Sequence, residues 1–293
     1  MGPRPGAAPA ALRHRAEAAA LALPPLQIAA ERVASAVIQG THGRRRTGTG
    51  ETFWQFRQYE PGDAAGRIDW RESAKSQHLF VRETEWEAAQ SVFLWRDSSP
   101  SMDYASDPNH PTKRARADLL TLALAALLVR GGERVALMGS GLAPGTGRVL
   151  LDRLALLLER GGEGPGLPGV ENLPRHGQAV WFSDFLSPLE EIDALVRRYA
   201  DRGVKGHLLQ LLDPAEETLP FAGRVRFEGF EHEPELLVSR VESIRAQYVE
   251  RLARHRAGLA ALTRLAGWSF ATHRNDQPPH HALLGLYGVL TEG

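Results

Sequence analysis

Asp97, Ser99 and Ser101 follow one another at alternate positions directly after an apolar run, in the pattern D-x-S-x-S. A tight turn with this spacing can point one carboxylate and two hydroxyls toward the same place. A second carboxylate, Asp184, follows Ser183 at the end of a later apolar run. Carboxylate and hydroxyl oxygens are hard ligands that suit Mg²⁺, which prefers six oxygens and usually keeps several waters. The candidate magnesium ligands are therefore Asp97, Ser99, Ser101 and Asp184.

The same residue types also have a purely structural role after a strand. Asp and Ser side chains form hydrogen bonds with nearby backbone amides, so they often close turns or cap helices. Position in the fold separates the two interpretations, because ligands of parallel sheets bind in the loops at the carboxyl ends of the strands. The expected placement of Asp97 and Asp184 at two strand ends favours a metal site, and both interpretations stay open at this point.

Apolar and amphipathic segments alternate from residue 91 onward, and these segments must position the candidate ligands. Strands are predicted at 91–95, 134–139, 178–184, 204–212, 223–230 and 267–273. Helices are predicted at 112–130, 149–160, 188–200, 236–265 and 279–290. Strands separated by helices of this length are typical of right-handed βαβ units. The sequence therefore predicts an α/β fold with a doubly wound, mostly parallel sheet.

Three regions are expected along the chain. Residues 1–40 are interpreted as an N-terminal tail and a helix that is interrupted near Pro24. Residues 41–90 contain short pieces in which apolar and polar residues alternate, which predicts a β-rich segment. Residues 91–293 form the α/β domain itself. The fold prediction is thus an α/β domain with an N-terminal helical and β-rich extension.

Composition restricts the classes of protein that fit. The chain of 293 residues has 35 Lys and Arg against 35 Asp and Glu, whereas nucleic-acid binders usually show a basic excess. There is no Cys, which excludes disulfides and thiolate metal sites. The apolar run Leu119–Val129 is too short to span a membrane. We therefore expect a cytoplasmic protein with no membrane span and no nucleic-acid partner.

The segment RQYEPGDAAGRIDWRESAKSQHLFVRETEWE, at residues 57–87, combines Arg, aromatic residues and carboxylates around a predicted turn. One interpretation is a structural network of Arg–carboxylate pairs, in which Trp54, Trp70 and Trp86 pack the segment onto the sheet. The other is a docking surface, because Tyr, Trp and Arg commonly anchor interfaces. The residues that define the pattern are Arg57, Tyr59, Gly62, Asp63, Arg67, Asp69 and Trp70.

These residues resemble the signature of the bacterial domain-of-unknown-function 58 family (DUF58). The family pattern contains Arg-x-Tyr-x-x-Gly-Asp, then Ile-Asp-Trp, then Ser-Ala-Arg/Lys, and the chain matches it at 57–63, 68–70 and 73–75. The core of this family is similar to a von Willebrand factor A domain. In addition, D-x-S-x-S after one strand and Ser-Asp after a later strand resemble the metal-ion-dependent adhesion site (MIDAS) of such domains.

The resemblance implies a non-enzymatic protein-interaction module, with Mg²⁺ as a cofactor that a partial adhesion-type site would hold. It also implies a MoxR-type AAA+ ATPase as partner, in complex assembly or chaperone-like work. The alternative is a metal-dependent hydrolase or phosphotransferase that uses Asp97 and Asp184. An enzyme would need a base aimed into the same cleft, and near the first carboxylate the sequence offers Asp103 and Tyr104.

The chain departs from the family pattern at several positions. Arg96 stands before Asp97, where an apolar residue is usual, and this places a cation next to the candidate ligand in sequence. The adhesion site also takes a Thr from a glycine-rich loop, and the matching loop at 160–169 contains no Thr. Thr146 belongs to an earlier predicted hairpin and is a poor substitute. These departures predict a weakened metal site.

Overall fold

The computed structural model describes residues 25–41, 53–59, 68–75, 78–84, 90–229 and 235–292. The strands are β1 (Phe53–Gln58), β2 (Phe80–Thr84), β3 (Ser91–Arg96), β4 (Arg134–Leu137), β5 (Gln178–Ser183), β6 (Lys205–Leu212), β7 (Val225–Phe227), β8 (Leu236–Val238) and β9 (Ser269–Arg274). The helices are α1 (Pro25–Thr41), α2 (Trp70–Ser73), α3 (Lys113–Arg130), α4 (Arg148–Arg160), α5 (Leu189–Ala200), α6 (Pro214–Thr218), α7 (Glu242–Leu265) and α8 (Pro279–Glu292). A 3₁₀ turn covers Pro100–Asp103.

A five-stranded parallel sheet organises the molecule, with the strand order β4-β3-β5-β6-β9. Strand β3 lies between β4 and β5, and the chain runs from it to β4 on one side before it returns to β5 on the other. This change of direction is a topological switch point, where the loops after β3 and β5 diverge and leave a crevice. The predicted doubly wound α/β fold is confirmed, and all the pairings in this sheet are parallel.

Helices cover both faces of the sheet and bury two apolar layers. On one face, the strands pack against α3, α4 and α8, with α1 packed outside α3. Helix α3 is buried along most of its length because it lies between the sheet and these other helices. On the opposite face, α5 and α7 cover an aromatic cluster that is centred on Trp181. Burial of both faces explains why the core strands are continuous apolar runs without alternation.

The region around residue 236 differs from the prediction of one long helix over 236–265. Residues 236–238 instead form β8, which pairs antiparallel with β7, and α7 begins at Glu242. Within this pairing Val238 lies opposite Val225 and Leu236 lies opposite Phe227. Leu and Val are compatible with either state, so a strand partner elsewhere in the chain decided the structure here.

The N-terminal extension is described in part. Helix α1 covers Pro25–Thr41. Strands β1 and β2 pair antiparallel and form a two-stranded sheet separate from the parallel sheet. The signature residues Gly62, Asp63 and Arg67 lie outside the described residues.

Candidate functional site

The predicted ligands come from the two loops at the switch point. Asp97 directly follows β3, while Ser183 ends β5 and Asp184 follows it. The backbone amide of Asp97 donates to the carbonyl of Phe182 at 2.8 Å, which joins the two loops where the strands end. Beyond Asp97 the chain enters the 3₁₀ turn, whose Met102 side chain is fully buried. The apolar anchor fixes the loop that carries Ser99 and Ser101.

The Asp97 carboxylate is almost completely buried and accepts hydrogen bonds through both oxygens. Oδ1 accepts from the backbone amide of Ser99 at 2.7 Å, and Oδ2 accepts from Ser183 Oγ at 2.6 Å. Burial raises the pKa of Asp97, and the negative charge of Asp184 raises it further, while hydrogen bonds from Ser183 and Ser99 act in the opposite direction. The carboxylate is therefore held in a position where its negative charge is poorly compensated.

The other three predicted residues form a continuous hydrogen-bonded chain. Ser99 Oγ lies 3.0 Å from Ser101 Oγ, and Ser101 Oγ donates to Asp184 Oδ2 at 2.8 Å. Ser99 is also joined to Asp97 through its backbone amide. The structure therefore brings Asp97, Ser99, Ser101 and Asp184 together, although Asp184 lies 83 or more residues after the other three in the sequence.

Backbone geometry around Asp184 is unusual and well supported. Phe185 has a φ of 49°, in the left-handed region that non-glycine residues rarely adopt. Its side chain is fully buried, and its amide donates to Ser183 Oγ at 2.9 Å. His255 Nε2 lies 2.6 Å from the Phe185 carbonyl oxygen. Packing and hydrogen bonds thus hold the loop that presents Asp184 in one conformation.

Arg96 does not act as a cation at this site, contrary to the concern raised by its position in the sequence. Its side chain points toward the helices α3 and α4, and Nε lies 2.8 Å from Asp118 Oδ1 in α3. One of its terminal nitrogens donates to the carbonyl of Leu158 at 3.3 Å. Neighbouring residues of a strand point to opposite faces, so adjacency in sequence separates Arg96 from Asp97 in space.

Lys113, which the sequence analysis did not identify, is a cation in direct contact with the carboxylates of the site. Its side chain has no exposed area, and Nζ lies 2.9 Å from Asp184 Oδ2 and 2.5 Å from Glu216 Oε1. Burial by itself would lower the pKa of Lys113, but the charges of Asp184 and Glu216 outweigh this effect and raise it. The sequence did contain one signal for Lys113. It starts a predicted helix that follows a parallel strand, and this end of such a helix faces the ligand-binding edge of the sheet.

Glu216 is held by the short helix α6. Asp213 caps this helix by accepting from the amide of Ala215, and Glu216 Oε2 accepts in return from the amide of Asp213 at 2.8 Å. Burial raises the pKa of Glu216, and the ammonium of Lys113 offsets part of this increase. Asn275, which follows β9, donates to Asp213 Oδ2 at 2.9 Å. Four loops of the carboxyl edge, after β3, β5, β6 and β9, therefore meet at one polar network.

The glycine-rich loop at 160–169 lies beside the site, as the resemblance implied. The amide of Gly164 donates to the carbonyl of Ser98 at 3.0 Å. A methyl group added at Gly166 would lie 3.8 Å from Ser99 Oγ and 3.6 Å from Ser187 Oγ. A loop with a side chain at this point could add a further oxygen ligand, but Gly166 has none. Gly166 therefore supplies no side-chain oxygen next to Ser99.

A groove of about 920 Å³ opens from the polar cluster along the surface. Asp97, Ser99, Ser101 and Asp184 line one end of it. The remaining wall is mostly apolar, with Glu191, Arg226 and Glu228 as charged members, and comes from the β5–α5 loop and α5, the segment after α6, the β7–β8 hairpin and α7. Its apolar members include Leu186, Leu219, Phe221, Phe227, Leu236 and Ile244. The geometry places a hard-oxygen cluster at the end of an apolar groove.

The donor set fits a divalent cation in chemistry and in charge. Two hydroxyls and two carboxylates provide the hard oxygens that Mg²⁺ prefers. When ionised, the carboxylates of Asp97, Asp184 and Glu216 face one ammonium, Lys113, so two negative charges are left without a partner within the cluster. Within the described part of the chain, no group of three or more His, Cys, Asp or Glu residues suited to a metal is present, so this candidate depends on its serines.

The signature segment lies in the N-terminal extension. The amide of Tyr59 donates to the carbonyl of Leu79, and Asp69 Oδ1 accepts from the amide of Arg71 at 3.1 Å. The expected packing of Trp70 onto the sheet is wrong, because this side chain is 66% exposed at the start of the short helix α2. Arg57 lies in β1 with its backbone opposite Val81. The side chains of Arg57, Trp54 and Trp86 lie outside the described part of the structure.

Comparison with known families agrees with the signature. Residues 55–258 match the family described as Protein of unknown function DUF58, which is more than half of the chain. The chain belongs to the DUF58 family. Uncharacterized proteins of Mycobacterium tuberculosis and Mycobacterium bovis are each 28% identical to this DUF58 protein over 274 residues, which covers 88% of this chain and 85% of each relative.

Solved structures with partial similarity cover 70% of the DUF58 chain. The conserved hypothetical protein BatB from Bacteroides thetaiotaomicron is 14% identical with a TM-score of 0.41, and all of that chain is covered. An aerotolerance-related membrane protein from Bacteroides fragilis, with multiple mutations to serines, is 15% identical with a TM-score of 0.40, again over all of that chain. An uncharacterized membrane spanning protein from Vibrio fischeri is 14% identical with a TM-score of 0.20 over 98% of that chain.

This comparison contradicts the expected cytoplasmic location. The Bacteroides fragilis and Vibrio fischeri proteins are described as membrane proteins, so the prediction of a cytoplasmic protein is wrong and is withdrawn. In the described ranges, no helix combines the length and the apolar character that crossing a membrane requires.

Proposed function

We propose that this DUF58 protein is a non-enzymatic interaction module that binds a partner protein at the carboxyl edge of its parallel sheet. One observation carries the proposal: the cluster of Asp97, Ser99, Ser101 and Asp184 opens directly into a surface groove with an apolar wall. Apolar surface next to a few fixed polar groups is typical of recognition sites, because the apolar part supplies affinity and the polar part supplies orientation.

We further propose that Mg²⁺ takes part in this recognition. Ser99, Ser101, Asp97 and Asp184 would hold the ion, and it would supply an electrophilic position for a carboxylate of the partner. Support comes from the poorly compensated charge of Asp97 and from the short spacing of the hydroxyl and carboxylate oxygens. Gly166, where an additional ligand is missing, supports a weak site rather than a tight one.

The proposed partner is a MoxR-type AAA+ ATPase, with a role in complex assembly or chaperone-like work. Membership of the DUF58 family and the similarity of the motifs to an adhesion-type site support this partner. The groove offers a place for such contact, since Leu186 and Leu236 line it and are half exposed. Exposed apolar side chains beside a polar site favour binding of another protein.

The enzymatic alternative receives less support from the groups around Asp97 and Asp184. A hydrolase or phosphotransferase would need a base with a free lone pair directed at the cleft. Asp103 is instead paired with Arg114, with Nε 2.5 Å from its Oδ1. Both carboxylate oxygens of Glu216 are engaged, one by Lys113 and the other by the amide of Asp213. The nearby acids thus have structural partners that compete with a catalytic role.

Co-purification with a MoxR-type AAA+ ATPase from the same organism tests the proposal. The wild-type protein should retain the ATPase in the presence of Mg²⁺ and lose most of it when the metal is chelated. Asp97→Asn should reduce retention in Mg²⁺ at least tenfold, because it removes one carboxylate from the cluster. Asp193→Asn is the matched control, since Asp193 forms an exposed pair with Arg197 on α5. Equal retention by all three proteins, with and without Mg²⁺, would exclude the proposed site.

A further inference from the structure

Lys113 is placed against the usual electrostatic preference of a helix. It is the first residue of α3, directly after the cap Thr112, whose side chain accepts from the amide of Ala115. The first turn of a helix carries partial positive charge and favours acidic side chains, so a lysine there gains nothing from the helix dipole. Its side chain is nevertheless fully buried, and a buried ammonium requires compensating charge. The contacts of Nζ must therefore account for the position of Lys113.

Those contacts lead to the candidate metal site. Nζ lies 2.9 Å from Asp184 Oδ2, the same oxygen that accepts from Ser101 Oγ at 2.8 Å. It also lies 2.5 Å from Glu216 Oε1, which lines the groove. One of the oxygens that would face a bound cation is thus already occupied by a positive charge that belongs to the chain.

We infer that Lys113 is a tethered cation that competes electrostatically with a divalent ion at the Asp97–Asp184 cluster and keeps the affinity of this site low. The inference deepens the proposed function and rests on its metal site. In the metal-free protein the ammonium stabilises the acidic cluster. A divalent ion must bind against this nearby positive charge, and the repulsion is strong because the ammonium is shielded from water.

The consequence is a metal site whose occupancy depends on the concentration of Mg²⁺ and on the presence of a partner. A site without the lysine would remain loaded at a low concentration of Mg²⁺, whereas a weakened site fills only when the ion is abundant or when a partner supplies further ligands. Gly166, which leaves an oxygen ligand missing, acts in the same direction. Lys113 would therefore link metal occupancy to partner binding.

Titration with MgCl₂ and MnCl₂ followed by calorimetry tests this role in the full-length protein. Lys113→Met should bind either ion at least tenfold more tightly than the wild type. The double variant Lys113→Met/Glu216→Gln removes one positive and one negative charge, so the net charge of the cluster is unchanged and Asp184 is released. The double variant should also bind either ion at least tenfold more tightly than the wild type. This result would show that the gain comes from the release of Asp184 and not from a change in the net charge of the cluster. Glu216→Gln alone should weaken binding, because it leaves the ammonium with less compensation.

Thermal melts provide a second readout. Without metal, Lys113→Met should melt below the wild type, because Asp184 and Glu216 lose their counter-charge. Added Mg²⁺ should raise its melting temperature more than that of the wild type, since at equal concentration an ion stabilises the folded state more when it binds that state more tightly. Should Lys113→Met fail to fold without metal, the effect of Mg²⁺ on the melting temperature can be compared between the wild type and Lys113→Met/Glu216→Gln instead.

The results distinguish this inference from the proposed function. Tight binding by both Lys113 variants with no binding by the isolated wild type would support the tethered cation, and loss of ATPase retention without Mg²⁺ would then test the proposed function separately. Equal affinities in the wild type and both variants would overturn the role of Lys113 and leave the proposed function intact. Absence of binding in all proteins would overturn this inference, and the ATPase assay would then decide whether partner binding occurs without metal.

Discussion

Arg96 and Asp97 are adjacent in sequence, yet their side chains bond entirely different partners. Arg96 lies 2.8 Å from Asp118 of α3, in the helical layer that contains α4 and α8. Asp97 accepts from Ser183 in the polar network at the carboxyl edge. The strand thus supplies a buried ion pair to one layer and a candidate metal ligand to the edge.

The Arg96–Asp118 pair predicts a dependence of stability on pH. Burial raises the pKa of Asp118 to about 6, while Arg96 acts in the opposite direction. Because the folded pKa lies above the unfolded value, the stabilisation from protonated Asp118 is fully present below about pH 4 and is lost as pH rises through about 6. We expect a loss on the order of 3 kcal/mol across this window relative to Asp118→Asn.

Urea unfolding at a series of pH values between 4 and 7 provides the measurement. The free energy of unfolding of Asp118→Asn minus that of the wild type should increase with pH, since the amide cannot ionise. Gly162→Ala changes no ionisable group and has open space around the added methyl group, so its difference from the wild type should stay constant with pH. Parallel profiles for the wild type and Asp118→Asn would show that Asp118 keeps an ordinary pKa in the folded state.

His207 predicts the opposite trend. Burial lowers the pKa of His207 to about 4, and the charge of Lys205 contributes in the same direction. Its Nδ1 lies 2.8 Å from Ser269 Oγ on the neighbouring strand β9. Since the folded pKa lies below the unfolded value, stability is present above about pH 6.5 and is lost as pH falls toward 4.

The His207 imidazole can be followed directly by NMR, with His207→Gln used to assign its resonance. We expect no change of its carbon-bound proton shift between pH 8 and pH 5.5. The substitution should also remove acid sensitivity on the order of 3 kcal/mol between pH 6.5 and 4. A titration midpoint near 6.5 would contradict the predicted shift.

Gly206 in β6 is predicted to be intolerant of any side chain. A methyl group at this position would overlap the indole ring of Trp268. That ring cannot easily move, because its Nε1 donates to the carbonyl of Val204 at 3.0 Å and it packs on Trp181 with centroids 4.9 Å apart. We expect Gly206→Ala to lower the free energy of unfolding by about 1–3 kcal/mol, as overpacked cores do.

Gly162 provides the control for this substitution. An added methyl group there would have nothing within 4 Å, so Gly162→Ala should change stability by less than about 0.5 kcal/mol. Both variants can be compared by urea unfolding under the same conditions. Equal stability of the two variants would mean that the aromatic cluster rearranges to accept the methyl group.

Long apolar runs explain how much of the fold could be predicted from the sequence. Strands β3 and β5 are buried on both faces, so their interiors are unbroken apolar stretches, while β6 is equally buried but includes His207 and Gln210. Their alternation with helices then placed Asp97 and Asp184 at the same edge of the sheet. Strand β8 was missed because its three residues are local neighbours of α7 and only pairing with β7 reveals it.

Features that depend on distant partners could not be predicted in this way. Lys113 meets Asp184 and Glu216 across 71 and 103 residues, and no local pattern marks such a triad. The separation of Arg96 from Asp97 depends on which face of the strand each side chain takes. Trp70 is exposed, although a large aromatic side chain is usually buried. No contact in the described residues explains this exposure.

Substitutions in the site and in the signature segment should change the melting temperature in different directions. Asp97→Asn keeps the shape of a buried side chain and removes a negative charge next to Asp184. Without metal its melting temperature should equal or exceed that of the wild type, because repulsion and a desolvation cost are relieved. Asp69→Ala removes the acceptor for the amide of Arg71 at the start of α2 and should cost about 1 kcal/mol.

Thermal melts with and without MgCl₂ complete this test. Added Mg²⁺ should stabilise the wild type and Asp69→Ala by similar amounts, since Asp69 lies outside the cluster, and it should have little effect on Asp97→Asn. Should Asp97→Asn melt well below the wild type without metal, the hydrogen bonds from Ser99 and Ser183 need a full negative charge for structural reasons. The D-x-S-x-S loop would then be a structural turn, and the magnesium interpretation of Asp97 would be wrong.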